Sequence, residues 1–323
     1  MSVSEAIEQA ILAIIRPPRS VYNIDQMPST VPIKDYGEII RHHCEFKNCR
    51  DQKIIGSYYQ PNEQIDNHTC VIFLHGNASC QIDGTYLVPV FVPAGIGVFC
   101  LDTSGSGLSD GEYVSLGFLE KDDVMAACEY LRENFKISKF ALYGHSMGAA
   151  NIFFCLANDQ EKEDSQNNTF IAAVSDSPFS SLELEMRELA GLFSIPGCFV
   201  TPAVWYVARR IRNMANFDIH DVEPVKYAPI CKQPILIIHG KEDDYINYHH
   251  SEILANSYGG PKELILCKGD HNSVRPMNVQ IKSIQFLANY LGVQIPESDI
   301  QQRLFSAHEF FPPVNLKEYE PEN

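Results

Sequence analysis

The sequence predicts an α/β protein built on a doubly wound, mostly parallel sheet, with a helical cap inserted late in the chain. Two observations carry this expectation. Seven short apolar runs, at 53–60, 69–76, 97–102, 138–144, 169–176, 234–240 and 263–269, each end in polar or turn residues. Such nearly continuous apolar stretches suit strands covered on both faces. Helical patterns lie between them, and in one of these Val124, Cys128, Leu131 and Phe135 recur at i, i+4, i+7 and i+11. That stripe packs a helix against a sheet, and strand and helix alternation favours a parallel arrangement.

In chain order, residues 1–29 form a lead-in whose MSVSEAIEQAILAII reads as a short amphipathic helix stopped by Pro17 and Pro18. Glu5 and Glu8 precede its apolar part, so it lacks the positive region and small-residue cleavage site of a secretory signal. The main domain is expected over 30–293. Within it, the segment from about 178 to 229 is rich in Phe, Val, Ile and Met, holds the single tryptophan, Trp205, and separates two strands, which marks it as the cap. The polar stretch Asn158 to Asn168 reads as a mobile surface insertion. Residues 294–323, acidic and proline-containing, read as an extended tail with Phe310 and Phe311 docked.

Composition excludes several functions. Lys and Arg total 25 against 41 Asp and Glu, a formal charge of −16, so there is no electrostatic footprint for nucleic acid. No window reaches 18 uninterrupted apolar residues, residue 2 is Ser, and the last residues are Glu and Asn. We therefore expect no transmembrane segment and no myristoyl or prenyl anchor. The ten cysteines stand singly, several inside apolar runs. This pattern suits buried thiols in a reducing compartment, and a cytoplasmic location is the expectation. The sequons at Asn67, Asn77 and Asn167 are then chance matches. Nothing in the sequence fixes an oligomeric state.

The pattern G-x-S-x-G occurs twice, at Gly144–Gly148 and Gly107–Gly111. With Gly and Ser each near 7% of residues, one match arises by chance in about one chain in ten of this size, so context must decide. The chemistry needs a serine on a sharp bend directly between strand and helix, where Oγ projects and the helix N-terminus offers N–H groups. Ser146 follows the run ending FALYG and precedes the helical MGAANIFFCLA, whereas Ser109 lies several residues beyond its strand with no helical pattern behind it. Ser146 is the candidate nucleophile and Ser109 a turn residue.

Serine needs a base, and the base an orienting acid. His271 follows the last predicted strand and precedes the final helix, the place from which a loop can reach back to the bend. His239 reads as a strand-end packing residue, and His249 with His250 as a solvated helix start. Asp243, in the turn after the 234–240 strand, is the preferred acid, with Asp244 and Asp176 as alternatives. The backbone N–H groups of Met147 and of Asn77, in the loop after the 69–76 run, are the candidate oxyanion donors.

Taken together, His75-Gly-Asn77, Gly144-His-Ser146-Met-Gly148, His239-Gly-Lys-Glu-Asp243 and Asp270-His271 resemble the α/β-hydrolase superfamily over roughly residues 30–293. The Asp102-x-x-Gly-x-Gly stretch and Asp176-Ser-Pro178 add a likeness to its serine aminopeptidase-like and depalmitoylase-like branch. The resemblance implies the α/β-hydrolase fold and an esterase, thioesterase, lipase or peptidase activity. The chain departs from membrane-anchored depalmitoylases in lacking an N-terminal cysteine cluster, which puts membrane recruitment in doubt.

Other readings fall away. Gly105, Gly107 and Gly111 do not have dinucleotide-loop spacing, His42-His43-Cys44 with Cys49 lacks a second pair of zinc ligands, and no phosphate loop occurs. Arg209, Arg210 and Arg212 read as a solvated cap face. The expected activity is a serine hydrolase without metal or cofactor, acting on a small-molecule, acyl or peptidyl substrate. Phe193, Phe199, Trp205 and Val207 in the cap suggest a hydrophobic acyl group, although core packing explains them equally well. An aminopeptidase would need a carboxylate placed for the substrate ammonium; a catalytically silent binding scaffold is the alternative from another class.

Overall fold

All seven apolar runs become strands, because each is sheathed on at least one face by helices that supply matching apolar stripes. The computed structural model describes residues 3–161, 168–192, 197–306 and 308–317. Helix α1 (Val3–Ile15) ends at the Pro17-Pro18 pair and is followed by β1 (Arg19–Val21). Strands β2 (Thr30–Ile33), β3 (Gly37–Lys47), β4 (Lys53–Gln60) and β5 (Thr69–Leu74) lead to the short helix α2 (Val88–Phe91). Then come β6 (Gly97–Asp102), α3 (Lys121–Phe135), β7 (Lys139–His145), α4 (Met147–Gln160) and β8 (Phe170–Asp176). The cap helices α5 (Leu182–Leu192), α6 (Gly197–Ala215) and α7 (Pro224–Tyr227) precede β9 (Ile235–Gly240), α8 (His249–Ser257) and β10 (Lys262–Cys267). Helices α9 (Met277–Tyr290) and α10 (Glu297–Arg303) and strand β11 (Asn315–Lys317) complete the described chain.

Nine strands form one sheet in the order β10-β9-β8-β7-β5-β6-β4-β3-β2. The six from β10 to β6 are mutually parallel, and β4, β3 and β2 continue antiparallel at one edge. The order doubles back between β5 and β7, with β6 placed outside β5, so the crevice above the carboxyl ends of β5 and β7 is a switch point where ligands bind in open α/β sheets. One face packs Val71, Ala141, Val174 and Leu236 against α2, α9 and α10 residues such as Phe91, Ile284 and Ile300. The other packs Ile72, Leu142 and Ile237 against Leu131, Phe153 and Leu254 of α3, α4 and α8. A third cluster joins the cap to α1 through Ile11, Ile15, Leu182, Val204 and Ile211.

Two expectations change. Asn158, Asp159 and Gln160 belong to α4, not to a loop, because the Asp159 carboxylate accepts the Phe170 N–H and ties the helix end to β8; residues 162–167 of that stretch lie outside the described residues. The C-terminal segment is not extended throughout. Ile300 and Leu304 bury α10 against the core, while Phe310 and Phe311 do pack on it, and β11 pairs antiparallel with β1. Among the nine cysteines whose side chains are described none is in a disulfide and eight are buried; Cys49 is exposed.

Candidate active site

Ser146 stands at the bend between β7 and α4 with φ 53° and ψ −113°, a backbone region that costs a non-glycine residue energy and persists only where the surroundings enforce it. The enforcement is visible. Its N–H donates to the Asp176 carbonyl (2.9 Å) at the end of β8. A Cβ on Gly148 would lie 2.1 Å from the Leu74 carbonyl oxygen, and one on Gly144 2.3 Å from that of Gly148, so both flanking positions require glycine. The turn thus projects Oγ above the sheet. Ser109, in the second copy of the pattern, is buried and structural: its Oγ donates to the Asp102 carbonyl and accepts the Ile55 N–H.

The other expected residues converge on Ser146 from separate loops. His271 Nε2 lies 3.0 Å from Ser146 Oγ, and His271 Nδ1 lies 2.7 Å from Asp243 Oδ2. A carboxylate only accepts, so Nδ1 carries the proton and Nε2 offers its lone pair to the serine hydroxyl. Asp243 also accepts the Tyr245 and Ile246 N–H groups on Oδ1. Burial pushes its carboxyl pKa up, yet the hydrogen bonds from His239, His271 and Ile246 outweigh this and hold it well below the ordinary carboxylate range. Asn77 and Met147 line the same small cavity as Ser146.

The alternative carboxylates are placed differently. Asp176 is engaged by Arg275 Nε at 3.0 and 3.1 Å, and Asp244 is exposed. Arg275 also donates to the Asp270 carbonyl (2.7 Å), Ser177 Oγ (2.7 Å) and the His271 carbonyl (3.3 Å), pinning the histidine loop to β8. His239 is more than a packing residue. Its Nε2–H is shared between the Ile246 carbonyl (2.9 Å) and Asp243 Oδ2 (3.2 Å), while Nδ1 lies 2.7 Å from Ser251 Oγ.

The cavity at Ser146, about 60 Å³, is lined by Ile14, Leu116, Phe179, Leu182, Met186 and Ile246 together with Glu185 and Tyr245. Ile14 comes from α1, whose carbonyl accepts a hydrogen bond from Asn77 Nδ2 (3.1 Å). Nothing in the sequence places residue 14 beside residue 77. A second cavity, about 340 Å³, has Gly76, His145, Tyr86, Tyr143, Asn272 and Arg275 among its walls but not Ser146. Of the cap residues read as facing either the substrate or the core, Trp205 does neither, being 62% exposed and stacked under Arg209, and Val207 packs in the cap cluster. The side chains of Phe193 and Phe199 lie outside the described residues. Arg210 and Arg212 pair with Glu8 and Asp218.

Two groups of side chains among the described residues have ligand atoms close enough to share a cation: Glu188, His249 and His250, and Glu183, His220 and Glu223. The first is poorly set for a metal, because His250 Nδ1 accepts the Ser180 N–H (3.1 Å), leaving the proton on the Nε2 that faces the carboxylates. His250 is fully buried, contrary to its expected solvation, since Ser180 and α5 cover it. His42 is engaged by Gln60, 2.7 Å away.

Strand order, crossover connections and a serine at the strand-to-helix bend define the α/β-hydrolase fold, which this chain adopts. A family model described as serine aminopeptidase, S33, matches residues 66–204, less than half of the chain. The chain is 24% identical over 210 residues to the uncharacterized protein YqkD of Bacillus subtilis (strain 168), a match covering 64% of this chain and 66% of that one. It is 29% identical over 204 residues to the uncharacterized protein YfhR of Escherichia coli (strain K12), covering 62% of each. The chain thus spans less than two thirds of the length of either relative. Among solved structures, the Pyrococcus furiosus esterase Pf2001 superposes with a TM-score of 0.59 at 20% identity, covering 86% of this chain and 97% of that one. The acetyl xylan esterase of Paenibacillus sp. R4 gives 0.59 at 14% identity, covering 90% and 91%. These two likenesses bear on fold alone. No described helix is long and apolar enough to cross a membrane.

Proposed function

We propose that the chain is a serine hydrolase cleaving acyl esters, thioesters or amides through an acyl-enzyme, in a unit of residues 30–293 capped by 178–229. The observation that carries the proposal is the continuous hydrogen-bonded line from Ser146 Oγ through His271 to Asp243. In the acylation step Ser146 Oγ attacks the substrate carbonyl while His271 Nε2 takes the hydroxyl proton. The imidazolium so formed is stabilised by Asp243, which keeps its own carboxylate ionised. The negative oxygen of the tetrahedral intermediate accepts hydrogen bonds from the Asn77 and Met147 backbone N–H groups, each donor being worth about 3 kcal/mol. His271 then returns its proton to the leaving oxygen, sulfur or nitrogen, and that bond breaks. Water repeats the sequence on the acyl-enzyme, releasing the acid and restoring Ser146.

The apolar walls of the small cavity that Ser146 lines support a short acyl group. The buried, unbridged cysteines support the expectation of a reducing, cytoplasmic setting. Labelling with a fluorophosphonate tests the central reading: the native protein is expected to label, Ser146→Ala not to label, and Ser109→Ala still to label. A native protein that stays unlabelled while folded refutes the proposal and favours a binding scaffold.

A further inference from the structure

Helix α1 precedes every strand of the large sheet, yet it supplies a wall of the cavity beside Ser146. Ile7, Ile11 and Ile14 stand at i, i+4 and i+7 and so share one face of the helix, which packs into the cluster that also holds Val204 and Ile211 of the cap. Ile11 is buried within that cluster. Ile14, nearly one turn further on, reaches the cavity that Ser146 lines.

The last turn of α1 is tied down where it meets the site. The final carbonyls of a helix have no partner within it, and those of Ile14 and Ile15 find theirs elsewhere. The Ile14 carbonyl accepts a hydrogen bond from Asn77 Nδ2 at 3.1 Å, and the Ile15 carbonyl accepts the Val114 N–H at 2.8 Å. Arg16, the next residue, pairs with Glu112 at 2.7 Å. Residue 14 thus holds the Asn77 loop with its main chain and faces the cavity with its side chain. The other apolar walls, Leu116, Phe179, Leu182, Met186 and Ile246, are buried in the body and the cap. Ile14 is only partly buried, so it can be shortened without hollowing the core.

We infer that Ile14 is a specificity-determining residue, its side chain closing the cavity beside Ser146 so that the acyl group accepted ends at about four carbons. This rests on the serine-hydrolase reading above and names the residue that sets its acyl length. About 60 Å³ holds roughly four to six water-sized positions, and a carbon with its hydrogens fills about one. Acetyl, propionyl and butyryl groups fit, and a longer chain runs into the isoleucine. Alanine at position 14 removes three carbons from the wall. The space so opened takes further methylenes of the acyl chain, each worth about fourfold in kcat/KM when buried.

The experiment is hydrolysis of p-nitrophenyl esters from acetate to decanoate by the full chain, read as kcat/KM against acyl length. The native profile, which needs no variant to fold, should peak at or below butyrate. In Ile14→Ala the hexanoate to butyrate ratio should rise about tenfold or more, as two newly buried methylenes at about fourfold each require. Ile11→Ala removes the same three carbons from the same face of α1 but away from the cavity. It should lower the melting temperature and leave the ratio as it is. A native protein that takes decanoate as readily as acetate overturns the inference, and so does a ratio unmoved by Ile14→Ala or moved equally by Ile11→Ala. Lack of fluorophosphonate labelling overturns instead the reading on which it rests.

Discussion

Asp243→Asn is the substitution whose consequence can be worked through atom by atom. Asp243 Oδ1 accepts two backbone N–H groups, from Tyr245 and Ile246 at 3.0 and 2.8 Å, and these donors cannot reverse. The amide oxygen of asparagine must therefore stay on that side, and its NH₂ turns to the place of Oδ2. There it meets two more donors, His271 Nδ1 at 2.7 Å and His239 Nε2 at 3.2 Å. His239 can keep its Nε2 proton by leaning on the Ile246 carbonyl, 2.9 Å away. His271 has no such second acceptor on Nδ1, so it relieves the clash by moving its proton to Nε2. That nitrogen, 3.0 Å from Ser146 Oγ, then donates to the hydroxyl and can no longer take its proton. The expected result is a fall in kcat of about ten-thousand-fold, or about 5.5 kcal/mol of lost transition-state stabilisation, with the fold preserved. The assay is hydrolysis of p-nitrophenyl acetate alongside a thermal melt. An asparagine variant that melts like the native protein and turns over within tenfold of it would refute both the tautomer argument and the role given to Asp243.

Further outcomes follow from the same contacts. Gly148→Ala puts a methyl group 2.1 Å from the Leu74 carbonyl oxygen at a point where only backbone can yield, so the bend should be displaced and fluorophosphonate labelling lost. Arg275→Met leaves Asp176 as a buried, unpaired carboxylate and should cost about 3–5 kcal/mol in a denaturant titration, with Asp176→Asn in the same background recovering part of it. The folded pKa of Asp243 lies below the unfolded value of about 3.9, so its contribution to stability is complete above that pH and drains away as pH falls toward the folded value. Melting temperature should therefore drop less steeply below about pH 4 in Asp243→Asn than in the native protein.

What the sequence disclosed follows from how each element is buried. Strands β5 to β9 have both faces covered, so their apolar runs are nearly unbroken and their limits fall within two residues of those expected. Strand β3 went unread because it lies near an edge: in GEIIRHHCEFK only Ile39 and Cys44 are buried, and charged residues fill the solvent face. The convergence of Ser146, His271 and Asp243 was legible because each follows the end of a strand, where the chain must turn and where polar residues interrupt an apolar run. The remaining residues of the site were not. Glu185 looks like one more acidic residue on an amphipathic helix, since only packing of α5 onto α8 turns it inward. Trp205 misled in the opposite direction, as a large aromatic that the cap leaves in solvent. His239 and Arg275 act on the site through other side chains, and no local pattern announces that.

The ribbon of β1 and β11 bears on how the smaller cavity breathes. Ile14 forms part of that cavity's wall, and only Arg16, Pro17 and Pro18 separate the end of α1 from β1, which pairs over three residues with a strand from the far end of the sequence. So short a ribbon frays at lower temperature than the central sheet melts. Warming should accordingly loosen one side of that cavity while Ser146, His271 and Asp243 stay in place, and under the proposed function the range of acyl lengths accepted should broaden before activity is lost.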